Sequence, residues 1–118
     1  MKITKQIEYF NLDHDVVIAV ENEDEVDALM RILKDVRCVF AHSTPERIAK
    51  SLKDQVVASI AGFRLSAKRI NNIKYYTEDI GESSIKGSRI EIVYLKDYTN
   101  DLENLKEKIN NYIKNKEL

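Results

Sequence analysis

The chain has 118 residues, of which 33% are charged and 43% hydrophobic, a balance typical of a globular domain. A chain of this length can bury a core without disulfides, so we expect residues 1–118 to form one domain. The net charge of -1 and the isoelectric point near 6.1 exclude a general electrostatic attraction to duplex nucleic acid, and any nucleotide site has to be local.

A strand followed by a helix is predicted near the start of the chain. Residues 16–20 are an apolar, mostly β-branched run, typical of a strand buried on both faces in the middle of a sheet. Asn22 is the expected N-cap of a helix over residues 23–35, with Glu25 at the spacing of a capping box. Residues 37–41 form a second apolar run, so strand, helix and strand follow one another as in a βαβ-like unit.

A second helix is predicted next. Ser43 or Thr44 is its expected N-cap, a proline fits its first turn, and its apolar spacing extends to about residue 56. His42 stands between the end of a predicted strand and the start of this helix, where α/β sheets place ligands. It is a candidate ligand contact, with a simple capping loop as the alternative. Residues 56–61 fit either a continued helix or a buried strand.

The most distinctive stretch is residues 62–74, which carries four cations and no carboxylate. A helix over 65–76 is favoured there, because apolar and basic residues recur at a spacing of four, and a strand over 72–77 is the second choice. A polar loop over 77–84 contains a glycine and precedes a second basic piece at 85–89.

A strand and a final helix complete the chain. Residues 89–95 alternate apolar and polar side chains, as in a half-buried strand. Thr99 or Asn100 is the expected cap of the last helix. Its narrow apolar stripe is typical of a helix that pairs with another helix, so we expect it at a homo-oligomer interface, with docking on its own domain as the alternative. The stripe consists of Leu102, Leu105, Ile109, Tyr112 and Ile113.

Together these elements predict an α/β fold in which helices pack on a small mixed sheet. The single cysteine, Cys38, excludes an internal disulfide and a cysteine-rich zinc site, and its apolar surroundings favour a buried side chain over a reactive thiol. No apolar run approaches the roughly 20 residues of a membrane helix, and no signal peptide follows Met1. We therefore expect a cytoplasmic protein without a membrane partner.

The two basic pieces are predicted to form the wall of a site for a phosphate-bearing ligand. Arginine holds a phosphate through two parallel hydrogen bonds, an aromatic ring stacks on a base, and a carboxamide pairs with a base edge or a ribose hydroxyl. The alternative is a solvated helix face with Phe63 in the core. The candidate ligand-binding residues are Phe63, Arg64, Lys68, Arg69, Asn72, Lys86, Arg89 and His42.

The sequence carries no nucleophile elbow, zinc-protease motif, phosphate-binding loop or dinucleotide fingerprint. An enzyme with His42 as general base is the least favoured of the three functions considered. His14 between Asp13 and Asp15 is interpreted as part of a solvated turn in preference to a metal ligand. We therefore expect no catalytic residue, no metal ion and no cofactor.

With Phe63, Asn72 and Arg89 ahead of a final strand and a C-terminal helix, the chain resembles the phage anti-defence proteins that counter Thoeris immunity by sequestering its cyclic ADP-ribose-type signal. The resemblance covers most of the chain through its size and the order of its elements. It implies a single α/β ligand-binding domain that is not an enzyme and binds a small cyclic nucleotide between the subunits of a homo-oligomer. It also implies base stacking by Phe63, polar recognition by Asn72 and phosphate contact by Arg89. The family pattern includes a further downstream arginine that this chain lacks.

The alternative function is a small regulatory or nucleic-acid-binding module that contacts phosphates through the basic helix predicted within residues 62–74. Such a module is expected to show strong salt dependence and little preference for small cyclic nucleotides. Duplex nucleic acid is not an expected partner, because the chain as a whole is slightly acidic.

Overall fold

The computed structural model describes residues 10, 14–36, 44–61, 65–70 and 89–116, and of His14, Ala61, Arg89 and Lys116 only the backbone. The described strands are β1 (His14–Val20), β2 (Ala58–Ala61), β3 (Leu65–Arg69) and β4 (Arg89–Tyr94). The described helices are α1 (Glu23–Asp35), α2 (Pro45–Lys53) and α3 (Leu102–Lys116), with a 3-10 helix at Leu95–Tyr98 between β4 and α3. Within these ranges, no helix has both the length and the apolar character that a membrane crossing requires.

The strands form one mixed four-stranded sheet in the order β2-β3-β1-β4. β1 is parallel to both of its neighbours, β3 and β4, and β2 is antiparallel to β3. This confirms the predicted α/β fold with a small mixed sheet, and it confirms residues 16–20 as a central strand. Because β1, β3 and β4 run in the same direction, their carboxyl ends meet at one edge of the sheet.

The helices cover one side of the sheet, and the hydrophobic core lies between them. Alternate residues of β1 belong to this core, since Val16, Ile18 and Val20 are each at most 1% exposed. We call this side of the sheet the helix face and the opposite side the outer face. The helices contribute the fully or almost fully buried side chains Leu29, Leu33, Ile48, Leu52, Leu105 and Ile109.

α1 begins as the sequence predicts. The Asn22 side chain accepts a hydrogen bond from the backbone N–H of Glu25 over 2.9 Å, which satisfies one of the free donors of the first turn. The Glu25 carboxylate accepts in return from the backbone N–H of Glu21 at 2.8 Å, one residue earlier than in a standard capping box. The reciprocal bond therefore ties the end of β1 directly to the helix that follows it.

α2 begins at the predicted cap, Thr44, but ends at Lys53 and not at residue 56. Gln55 takes a left-handed conformation with φ 63°, and the N–H groups of Gln55 and Val56 donate to carbonyls of the last helical turn, as in a Schellman motif. Val56, which the apolar spacing assigned to the end of this helix, is 55% exposed for this reason. Residues 58–61, which fit a helix or a strand, form β2.

Replacing Gln55 with glycine is expected to raise the free energy of unfolding by up to about 1 kcal/mol. A left-handed residue with a Cβ atom costs about 1–2 kcal/mol. Glycine removes this cost, but its larger backbone entropy in the unfolded chain offsets part of the gain in stability. Urea unfolding followed by circular dichroism measures the change, with Gln55→Ala as the matched control that keeps the Cβ atom. A Gln55→Gly variant no more stable than Gln55→Ala would contradict the expectation.

β3 corrects the helix that the sequence predicts over residues 65–76. Residues 65–69 pair with β1 on one side and with β2 on the other. Leu65 and Ala67 are fully buried, whereas Ser66 between them is only half-buried, which is the alternation of a strand. The local pattern of this segment fits both the period of a helix and that of a strand, and hydrogen bonding to two neighbouring strands decides its conformation. The prediction of a basic helix, on which the nucleic-acid interpretation depends, is therefore wrong for residues 65–69.

Several other predicted elements lie outside the described residues. They are the strand at 37–41, the remainder of the basic helix at 71–76, the alternative strand at 72–77 and the loop at 77–84.

α3 confirms the predicted final helix, but its cap and its contacts differ from those that the sequence predicts. Asp101 caps it by accepting a hydrogen bond from the backbone N–H of Asn104 at 3.2 Å, whereas Thr99 ends the 3-10 helix. The fully buried stripe residues Leu105 and Ile109 pack in the core of their own domain. The stripe thus docks intramolecularly, the alternative named above, and it lends no support to an oligomer interface on this helix. The homo-oligomer itself stays a prediction.

Candidate functional site

The structure places three of the predicted site residues. Lys68 and Arg69 lie near the end of β3, and Arg89 begins β4 with its backbone described. The other predicted contacts lie outside the described residues. They are His42, Phe63, Arg64, Asn72 and Lys86.

Arg69 and Arg89 lie at opposite ends of the sheet. Arg69 pairs with Val20 at the end of β1, and Arg89 pairs with His14 at its beginning. The two positions on β1 are six residues apart, which at about 3.3 Å per residue separates them by about 20 Å. Within one chain, the structure does not bring these two arginine positions together.

Lys68 and Arg69 are on opposite faces of the sheet, because successive strand residues alternate. Arg69 is paired with Val20 on the helix face, and its Nε donates to the backbone carbonyl of Glu21 at 3.4 Å. That contact links the end of β3 to the loop between β1 and α1. Lys68 is paired with Ala19 and belongs to the outer face. Of these two cations, Lys68 is therefore the one placed to meet a ligand on the outer face.

The outer face combines apolar, hydroxyl and basic side chains with one buried carboxylate, that of Asp15. Strand pairing puts Val17 beside Ser66 and Ile92, and Ala19 beside Lys68 and Tyr94. Its β1 residues are buried, whereas those of β3 and β4 up to Tyr94 are half-buried and reach solvent. The described members of the outer face are Asp15, Val17, Ala19, Ser59, Ser66, Lys68, Ile70, Ile90, Ile92 and Tyr94.

Lys68, Ala19 and Tyr94 form the last outward-facing row of the three parallel strands, which we call the edge row. β3 and β4 flank β1, so the Cα atoms of Lys68 and Tyr94 are about two strand spacings, or about 10 Å, apart. Ala19 between them is fully buried and packs with Ile70, against which Ile92 and Tyr94 also lie. The edge row therefore has an apolar floor with an ammonium group on one side and a phenol on the other.

The pKa of Tyr94 is raised above its usual value, first by partial burial and second by the negative charge of Asp97. Both effects disfavour the phenolate and extend to higher pH the range in which the Tyr94 hydroxyl is protonated. The residue pattern places Tyr94 in a strand and does not assign it to the site. The signal that finds it is the pairing of its strand with β1, which puts Tyr94 level with Lys68.

A groove of about 530 Å³ lies between the end of α1 and the beginning of α3. Lys106 crosses it and contacts Glu103 at 3.2 Å and Asp35 at 3.7 Å, and the hydrogen bond and charge of Glu103 are the main causes of a raised pKa for Lys106. Four carboxylates against one ammonium group make this groove unfavourable for a phosphate. It is lined by Asp35, Val36, Asp101, Glu103, Asn104, Lys106, Glu107 and Asn110.

Among the described residues, no three or more histidine, cysteine, aspartate or glutamate side chains are grouped to hold a metal ion. Comparison with known proteins found no matching family model, no similar curated protein and no similar solved structure. The resemblance to the Thoeris anti-defence proteins therefore stays a prediction, and the function has to be argued from the residues of the edge row.

Proposed function

We propose that the protein binds a small phosphate-bearing nucleotide on the outer face, at the carboxyl edge of its sheet, and keeps it chemically unchanged. The observation that carries the proposal is the edge row, in which Lys68 and Tyr94 flank the small residue Ala19. In open α/β sheets, ligands bind outside the carboxyl ends of the strands. The half-buried apolar side chain of Ile92 beside the row is suited to a base or a ribose ring.

The charges at this edge favour an anion on the outer face over the helix face. On the helix side, the first turn of α1 carries Glu23, Asp24 and Glu25, which offset the positive end of the helix dipole. An incoming phosphate would meet these carboxylates there. Among the described residues of this edge, these three carboxylates outnumber the single cation Arg69 on the helix side, whereas on the outer face Lys68 stands against one negative charge, that of Asp97, which acts on Tyr94. The proposed ligand therefore approaches from the outer side.

The finer proposal follows the resemblance. The ligand is a cyclic ADP-ribose-type immune signal, which the protein sequesters in the cytoplasm of the host cell and thereby withholds from the Thoeris effector. Phe63, Asn72 and Arg89 are proposed as its base-stacking, polar and phosphate contacts. Because Arg89 is about 20 Å from the carboxyl edge of its own sheet, a site that uses both Arg89 and Lys68 needs two copies of the chain. A homo-oligomer is therefore part of the finer proposal.

Purified protein that is incubated with a nucleotide-rich bacterial lysate, isolated again and heated is expected to release a nucleotide. Mass spectrometry identifies the released molecule. Calorimetry with cyclic ADP-ribose as the added probe is expected to give a saturable binding heat, and the probe is expected to be recovered intact. The comparison sample is the same protein carried through a lysate that has been treated with a phosphodiesterase.

Two results would overturn the proposal. One is a protein that releases no nucleotide from the lysate and gives no binding heat with cyclic ADP-ribose. The other is recovery of a converted product, which would make the protein an enzyme. His42→Ala then tests the general base, since it should abolish turnover and leave the circular dichroism spectrum unchanged.

A further inference from the structure

We propose that the hydroxyl group of Ser66 and the ammonium group of Lys68 hold the same phosphate of the ligand, on the half of the outer face that β2 and β3 form. This inference rests on the proposed function and adds a residue that neither the sequence pattern nor the family resemblance assigns. Ser66 and Lys68 are alternate residues of β3, so both belong to the outer face, and their Cα atoms are about 6.6 Å apart.

Both polar groups can offer hydrogen bonds to a ligand. Within the described part of the chain, the Lys68 ammonium group has no ion pair and the Ser66 hydroxyl group has no hydrogen bond. The neighbouring Arg69, in contrast, already donates to the backbone carbonyl of Glu21. A lysine ammonium group has three donors and no acceptor, and a serine hydroxyl has one donor. Because both side chains are half-buried, an anion between them is partly shielded from water, which strengthens its attraction to the ammonium group.

The outer face is accessible on the side of β3 that faces β2. Ser59, the β2 partner of Ser66, is exposed, and Val57 just before β2 is 46% exposed. Continued by one residue, the pairing of β2 with β3 brings Val57 level with Lys68. The β1 residues on the other side of β3 are buried. A ligand held by Ser66 and Lys68 therefore extends toward β2, where Val57 offers an apolar surface to a base or a ribose ring.

The described carboxylates of the outer face lie away from Lys68. Asp15 is four residues before Ala19, the β1 partner of Lys68, which places the Cα atom of Asp15 about 14 Å from that of Lys68 and about 8 Å from that of Ser66. Asp15 is also buried, with 5% of its surface exposed. Asp97 follows β4, which is two strands away from β3. The phosphate is therefore expected at the Lys68 end of the pair, and the class of ligand is a phosphate ester with an attached ring system.

The test compares Ser66→Ala with the unaltered protein by calorimetry, using pyrophosphate and cyclic ADP-ribose as separate probes. Loss of a hydrogen bond to a charged group is expected to weaken the binding of both probes about 10-fold or more. Ser51→Ala is the matched control, since Ser51 is a half-buried serine of α2, on the helix side of the sheet. The same chemical change there should leave both affinities unchanged.

A second pair of variants separates the hydroxyl group from the shape of the side chain. Threonine and valine have the same branched shape, and only threonine carries a hydroxyl group. Ser66→Thr is therefore expected to bind both probes about 10-fold or more tightly than Ser66→Val. Both residues suit a strand, and circular dichroism shows that each variant is folded during the comparison.

The double variant Ser66→Ala, Lys68→Gln decides whether both side chains act on one phosphate. If they hold the same group, the two losses of pyrophosphate affinity are coupled, and the loss in the double variant differs from the sum of the single losses in free energy. Additive losses would overturn the shared phosphate.

The outcomes separate this inference from the function on which it rests. An unaltered protein that binds neither probe overturns the proposed function and this inference together. If the unaltered protein binds both probes, and Ser66→Ala binds them as tightly as Ser51→Ala does, this inference alone is overturned. Equal binding by Ser66→Thr and Ser66→Val has the same consequence, because the hydroxyl group is then not a contact of the ligand.

Discussion

Replacing Ile109 with alanine is expected to lower the free energy of unfolding by about 2–5 kcal/mol, the cost of removing a large aliphatic side chain from a packed core. Ile109 is fully buried in α3, next to the equally buried Leu105 and Ile113, and all three belong to the core beneath the sheet. Urea unfolding followed by circular dichroism measures the loss. Because the stripe docks on its own domain, the assembly state of the folded protein in sedimentation is expected to stay unchanged.

Asn111→Ala is the matched control, since Asn111 is exposed on the same helix. Its effect should be small, because alanine favours a helix by less than about 1 kcal/mol over asparagine and no core contact is lost. The prediction is contradicted if Ile109→Ala leaves the free energy of unfolding unchanged and instead causes an assembly of several copies to dissociate. That outcome would move the stripe from the core of one chain to an interface between copies.

Long periodic segments made the helices and the central strand predictable. α1 combines a strong cap at Asn22 with apolar residues at steps of three and four, and nothing in its tertiary surroundings opposes that pattern. Residues 16–20 of β1 are an uninterrupted apolar run, and they are buried on both faces of the sheet. In these elements, the local preference and the tertiary packing agree, so the sequence was sufficient.

Short segments were not predictable in the same way. Residues 65–69 carry one apolar pattern that fits both a helix and a strand, and pairing with β1 and β2 decides between them. The end of α2 was missed because its left-handed terminal residue is Gln55, where the usual signal is a glycine. Both errors arose because the deciding contact or conformation cannot be recognised from the local residue pattern.

The candidate site depended on strand order and register, which a single sequence does not reveal. Lys68 was named from the density of cations around it, but its separation from Arg69 follows from strand alternation, and the wrong helix assignment concealed that. Tyr94 was overlooked because its proximity to Lys68 exists only once β3 and β4 are known to flank β1. Charge composition alone could therefore suggest a phosphate site, whereas the location proposed for it depends on the strand order of the sheet.

Replacing Lys68 with glutamine is expected to weaken the binding of pyrophosphate and of cyclic ADP-ribose by about 10- to 100-fold. The change removes one charge-assisted hydrogen bond to phosphate, worth about 1.5–3 kcal/mol, and keeps a side chain of similar length. Calorimetry at two salt concentrations measures the loss. The salt dependence of the remaining binding should also decrease, because one fewer cation faces the anion. Lys53→Gln is the matched control, since Lys53 is exposed at the end of α2 and away from the edge row.

If Lys68→Gln weakens binding no more than Lys53→Gln does, the edge row is not part of the site, because Lys68 is the cation that the edge row contributes to the outer face.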